Sequence, residues 1–365
     1  MLYNTYSISK NQVKGACFMS VFSHIPKSTY IKGIEWLSDR IPYPDHSVKG
    51  DTYPVTWADD DAIYTSSGDP LWGGKEHGLD VERLIGGPTD YRIDRINNMD
   101  GYIGWGGNGP KPTGMICVDG ILYLAFQNLK GARKPPHSLS SQHGSDAYIV
   151  YSANKGFFWV PSFENIKEPM FPGHKFGGPS FVNFGKNNEN AKDDFVYAVS
   201  SDQWDNGSNI RLGRVPKDKI TIKESWEWVC AFTPSYEAVW SHDLNESIPI
   251  LSIHKWMGVP EMVYLASIDR YLMFSWRFHK DFSPEDGTDL LIFEAPEPYG
   301  PFSLVHVEEY WEGKNFTPYC PRLPLKWVEP DGVTCWLQFS GSWGVEGQKN
   351  GYYRSNVRRM RLIMK

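Results

Sequence analysis

Cysteine is scarce in this chain: five residues in 365, namely Cys17, Cys117, Cys230, Cys320 and Cys335. They stand far apart, with no Cys-x-x-Cys pair and no histidine at zinc-ligand spacing, which excludes a zinc ribbon or a disulfide-stapled scaffold. An odd number so widely spaced reads as buried thiols, with room for one disulfide. Blocks of basic charge are also missing. The formal net charge is −6, so neither nucleic acid nor an anionic membrane is an expected partner. The arginines and lysine of the last dozen residues alternate with Val357, Met360 and Leu362, as in a closing strand. No apolar run approaches a membrane span, and the opening MLYNTYSISKNQVKGACFMSVF lacks the continuous apolar core of a signal peptide. Helical periodicity is nearly absent as well.

What fills the chain instead is aromatic and β-branched. Aromatics make up 15% of the residues, in short runs broken by Gly, Pro, Asn and Asp. GMICVDGILYLAF, SDAYIVYS, DDFVYAVSS, PEMVYLA, RYLMFSW, DLLIFEAP and SNVRRMRLI are typical. Strands at this spacing imply a sandwich, a barrel or a propeller, and repetition selects the propeller. ADDDAIYT, VDGILYL, KDDFVYAV, IDRYLMF and PDGVTCWL are one inner hairpin written five times, an acidic turn followed by an aromatic-rich strand. Five hairpins predict five blades: an all-β, five-bladed β-propeller forming one domain over residues 1–365, with 1–30 as an N-terminal extension. KGIEWLSD (32–39) precedes the first hairpin with nothing of its own to pair with, so it is expected as the outer strand of the last blade. The ring would then be closed by strands from both termini, removing open sheet edges. SANKGFFW (152–159) resembles the Asp-box turn of sialidase-type propellers, with Asn154 in the Asp place. That turn is structural.

In a propeller the innermost strands line a central channel, and their first polar residues converge although distant in sequence. Here these are Asp51, Lys111, Ser180, Glu261 and Arg322. The stretch DTYPVTWADDDAIYTSSGDP carries five aspartates. Asp59, Asp60 and Asp61 suit a tight turn. Asp51 and Asp69 lie outside it, at the two ends of a hairpin that brings its ends together. Such a pair suits glycoside hydrolysis, which needs one carboxylate ionised and one carboxyl protonated across the scissile bond. The plainer alternative is that Asp51 caps a turn and Asp69 belongs to a Gly-Asp-Pro loop. Asp51, opening an inner strand, is expected as the ionised nucleophile or base, and Asp69, beside Pro70 and Leu71, as the protonated acid. Glu261 in VPEMVY is the reserve acid. Lys111 either neutralises the aspartates or holds a substrate hydroxyl. His143, Asp146 and Arg322 are candidates for binding, with Trp57 and Trp72 as rings for stacking on sugar faces.

The segment DTYPVTWADDDAIYTSSGD, with KPTGMICVDGILYL, LGRVPKDKI, LIFEAPEPYGPF and LPLKWVEPDGVTCWLQFSG, resembles the "domain of unknown function 4185" family over about residues 30–365. The resemblance implies five-bladed propeller glycoside hydrolases, including endo-D-arabinanases, whose essential carboxylates are two first-blade aspartates falling on Asp51 and Asp69. It also implies a secreted or cell-envelope protein. The expected partner is a polysaccharide or oligosaccharide, acted on by a monomer. No cofactor is expected, although the channel leaves room for a structural calcium ion. Two alternatives remain: a non-catalytic carbohydrate-binding propeller, and a polysaccharide lyase using His143 and Tyr148 with Lys111.

Overall fold

The computed structural model describes residues 21–43, 49–72, 75–76, 78–102, 109–129, 144, 146–280, 286–342 and 353–365, with the backbone alone at 71, 72, 75 and 76. Five antiparallel sheets stand in a ring, as expected of a five-bladed propeller. Blade one is Val55–Trp57, Ile63–Thr65, Val81–Ile85 and Arg92–Asn97. Blade two is Lys111–Val118, Ile121–Gln127, Asp146–Ser152 and Phe171–Pro172. Blade three runs outward from Ser180–Phe181 through Phe195–Ser201 and Gly207–Pro216 to Glu227–Phe232 and Ala238–Ser241, and Leu251–Met257 also pairs with Gly207–Pro216. Blade four is Glu261–Leu265, Arg270–Phe278, Thr288–Ala295 and Ser303–Glu308. Blade five is Tyr319–Arg322, Thr334–Gly341 and Arg354–Met364, completed by Ile31–Trp36.

That last pairing closes the ring. Ile31 lies opposite Met364 and Trp36 opposite Met360, so the leading strand covers the edge of the trailing one. A short ribbon, Leu71–Trp72 with Lys75–Glu76, stands off the ring. Among the described residues the helical segments are single 3-10 turns, and no helix is long and apolar enough to cross a membrane.

Burial follows position in the blade. The inner strand Lys111–Val118 is buried throughout because neighbouring blades cover both its faces, whereas the outermost Ser303–Glu308 buries only Val305 fully. Apolar cores fill the joints between blades. Tyr64, Leu124 and Phe126 lie between blades one and two, and Phe171, Phe181 and Trp226 between two and three. Met262, Met273 and Val199 fill the next joint, and Leu272, Phe274 and Leu337 the one after. The joint between blades five and one, around Tyr43, Val55, Leu84, Tyr91 and Val357, is the smallest among the described residues.

The acidic turns are explained locally. Asp193 accepts the Phe195 N–H, Asp331 accepts those of Val333 and Thr334, and Asp60 that of Ala62. Asp61, Asp119 and Asp269 adopt left-handed φ values of 64°, 49° and 51°, a conformation Asp tolerates. In the 152–159 turn, Asn154 accepts from the Phe158 N–H, and Ser152 from that of Gly156. It caps the far end of blade two, remote from Lys111. Cys117, Cys230, Cys320 and Cys335 are free thiols.

Candidate active site

All five inner strands begin on one face of the ring, and there the two hairpin ends of blade one meet. Asp51 and Gly68 exchange both backbone hydrogen bonds, each at 2.9 Å, which places Asp69 directly beside the pair. The loop that carries Asp69 is fixed from behind by Asp80. Its Oδ1 accepts the Ser67 N–H at 2.8 Å and the Ser67 hydroxyl at 2.6 Å. Thr52, Tyr53 and Asp69 hold φ values of 65°, 40° and 50°. For a β-branched residue such as Thr52 this is strained backbone, which persists only where the surroundings dictate it.

The side chains are buried and specifically partnered. Asp51 Oδ2 accepts the Tyr353 hydroxyl at 2.8 Å and the Tyr319 hydroxyl at 3.0 Å, both donated from blade five. Its Oδ1 has no hydrogen-bond partner among the described residues. Asp69 Oδ1 forms an ion pair with Lys111 Nζ at 2.7 Å. Burial, and then the neighbouring Asp69, push the Asp51 carboxyl up to about 7, against the opposing pull of Lys111 and the two phenols. This runs against the expectation that Asp51 is the ionised member. Asp69, expected as the acid on the strength of Pro70 and Leu71, instead faces an ammonium.

Gly68 is the spacer in this arrangement. A Cβ there would stand 2.5 Å from Asp51 Oδ1 and 3.2 Å from the Lys111 stem. Gly68→Ala is therefore expected to push the carboxylate aside and lower kcat/KM by about 10²-fold, because displacements near 1 Å cost that much. Steady-state kinetics checks it, and a variant of unchanged rate would show that Asp51 does no chemistry.

Glu261 and Arg322 occupy the axis. Arg322 is fully buried, and its guanidinium reaches every other blade. It donates to Glu261 Oε2 at 2.9 Å and Thr52 O at 3.1 Å, with longer contacts of 3.3–3.4 Å to Thr113 O, Ser180 Oγ and Pro260 O. The expected convergence of inner-strand residues is thus present, with one guanidinium bridging Glu261 to the Asp51–Thr52 segment. The roles differ from expectation. Arg322, taken for a substrate ligand, is an internal strut. Glu261 is its counter-ion, and burial pushes its carboxyl up to about 7 while Arg322 pulls the other way.

The remaining candidates divide. Asp146 is buried at the same end of blade two as Lys111, one strand beyond Gln127. Trp57 does not join the site. It ends its strand at the opposite face, where its indole N–H donates to Asp61. The ring was expected to stack on a sugar face, but the strand carries it away from Asp51. The side chain of Trp72 and all of His143 lie outside the described residues. Tyr319, Tyr353 and Asp80 were not foreseen. Tyr319 had a legible signal, since the inner strand begins there rather than at Arg322. Among the described residues no cluster of three or more His, Cys, Asp or Glu is placed to hold a metal.

Fold and site together define a five-bladed propeller with a buried carboxylate pair and a lysine at the channel mouth. No protein-family model matches the chain, and no curated protein does. Solved structures do. A Bacteroides ovatus protein described provisionally as a hydrolase matches at TM-score 0.55 and 10% identity, over 94% of this chain and 88% of that one. The Bacteroides ovatus xyloglucan-locus protein GH43B matches at TM-score 0.51 and 14% identity, over 88% of this chain and 54% of that one. A Bacillus halodurans xylan β-1,4-xylosidase matches at TM-score 0.50 and 12% identity, over 88% and 56%. The chain thus spans just over half the length of the last two. At such identities the likeness is one of fold.

Proposed function

We propose that the protein is a glycoside hydrolase acting on a furanoside-containing polysaccharide, in the manner of the endo-D-arabinanases of the domain of unknown function 4185 family. The observation that carries this is the meeting of Asp51 and Asp69 at the channel mouth in unlike environments. Asp69 Oδ1 pairs with the Lys111 ammonium. Asp51, with a proton on its unpartnered Oδ1 and both phenols on Oδ2, is the group able to protonate a departing glycosidic oxygen. Asp69 then serves the anomeric carbon, either by direct attack or by activating water, and the anomer of the first-formed product separates the two. The lyase alternative, with His143, Tyr148 and Lys111, leaves the paired aspartates unexplained, and they would repel an anionic uronate.

Reducing ends should appear from arabinan or arabinogalactan, with no unsaturated-uronate absorbance. Absence of both products across arabinan, arabinogalactan and xylan overturns the proposal. The acid form of Asp51 is the active one, so kcat/KM should fall as pH rises through about 7. Tyr319 and Tyr353 stabilise the carboxylate and hold this pKa down. Tyr353→Phe should therefore move the alkaline limb upward by about half to one unit. A limb that stays put in both Tyr353→Phe and Tyr319→Phe would detach Asp51 from the proton transfer.

A further inference from the structure

A cavity of about 300 Å³ lies between blades three and four, at the small end of the range for ligand sites. Its lining comes from the ends of the inner hairpins remote from Ser180 and Glu261. Lys192 precedes Phe195–Ser201, Arg214 is near the end of Gly207–Pro216, and Glu297 follows Thr288–Ala295. The cavity therefore opens on the face opposite Asp51 and Asp69, and whatever it holds is beyond their reach. It is a place to bind, not to react.

The lining narrows the ligand class. Both cations are already committed. Arg214 forms an ion pair with Glu227 at 2.5 Å and lies 4.2 Å over Phe195 and 4.0 Å over Trp240. Lys192 forms an ion pair with Asp269 at 2.8 Å and lies 4.5 Å over Tyr264. An anionic ligand would find no free positive charge and would meet Glu237 and Glu297, which form no ion pair among the described residues. A cationic ligand would meet rings whose faces already carry Arg214 and Lys192. What remains is a rim of exposed carboxylates beside the half-buried ring of Tyr299. Carboxylates accept from hydroxyls, and aromatic rings pack on the C–H faces of sugars.

We propose that this cavity is an accessory saccharide site, which holds a neutral polysaccharide chain on the face away from the chemistry. The choice of polymer rests on the function proposed above; the site itself does not. The test is electrophoresis of the full chain through gels containing arabinan, arabinogalactan or xylan, with Asp51→Asn as background to prevent digestion. At least one polymer should retard the protein. Tyr299→Ala, and separately Glu237→Gln with Glu297→Gln, should weaken that retardation about fivefold, as expected for one lost stacking or charge-assisted contact. On the Asp51-intact chain the same changes should raise KM on the polymer but not on an arabino-pentasaccharide too short to span both faces. Tyr299 and the two glutamates are at the rim, so folding is not at stake, and thermal melts confirm it. No retardation in any gel, or equal retardation in the rim variants, overturns the accessory site. Retardation without hydrolysis by the wild-type chain overturns the hydrolase assignment alone.

Discussion

Asp51→Asn should abolish polysaccharide turnover, by at least about 10³-fold, with no loss of stability. The amide keeps the size of the carboxyl, and its oxygen can still accept from Tyr319 and Tyr353. What disappears is a titratable proton and the cost of burying a charge. Asp69→Asn should be as inactive but less stable, because it replaces the counter-ion of the fully buried Lys111 ammonium with a neutral amide, beside the carbonyls of Gly109 and Pro110 at 3.4 and 3.3 Å. Breaking a buried ion pair from one side typically costs about 3–5 kcal/mol. Leaving groups separate the roles further. If Asp51 is the acid, Asp51→Asn retains activity on aryl furanosides whose leaving group needs no proton, and Asp69→Asn does not. The opposite pattern would return the proton to Asp69, and near-wild-type turnover by either variant would remove both from the mechanism.

Arg322→Met should be the most destabilising substitution on the axis. The guanidinium is the only side chain described here that touches the other four blades, and Glu261 would be left facing an apolar chain. A loss of about 3–5 kcal/mol in denaturant unfolding is expected. Adding Glu261→Gln should recover part of it, because the unpaired carboxyl is then gone. If Arg322→Met unfolds at the wild-type denaturant concentration, the strut carries no weight. If the double variant is no better than the single, the damage lies in the lost carbonyl contacts rather than in the stranded charge.

The architecture was legible because it is repetitive. Five acidic turns, each followed by an aromatic strand, fix the blades, and KGIEWLSD without a partner fixes the closure. Convergence of Asp51, Lys111, Ser180, Glu261 and Arg322 follows from that geometry alone. The roles of those residues do not. Whether Arg322 faces substrate or backbone depends on the width of the channel, which no local pattern encodes. The environment of Asp51 comes from Tyr319 and Tyr353, about three hundred residues away, and neither lies in a run that marks it as polar. Trp57 shows the converse: a ring near a loop suits sugar stacking, but three residues of strand carry it to the face opposite Asp51.

The joint between blades five and one, whose apolar core is the smallest among the described residues, is also where the environment of Asp51 is set. Asp51 belongs to blade one and both of its phenols to blade five, so each hydrogen bond spans the seam. A ring loosens first where least apolar surface holds it. Opening there is expected to lengthen the two bonds before any blade unravels, and to let water reach a carboxyl that burial pushes up. The same pair of tyrosines ties the seam and bears on the acidity of Asp51, so a stretch of the circle is expected to alter that carboxyl while every sheet remains whole.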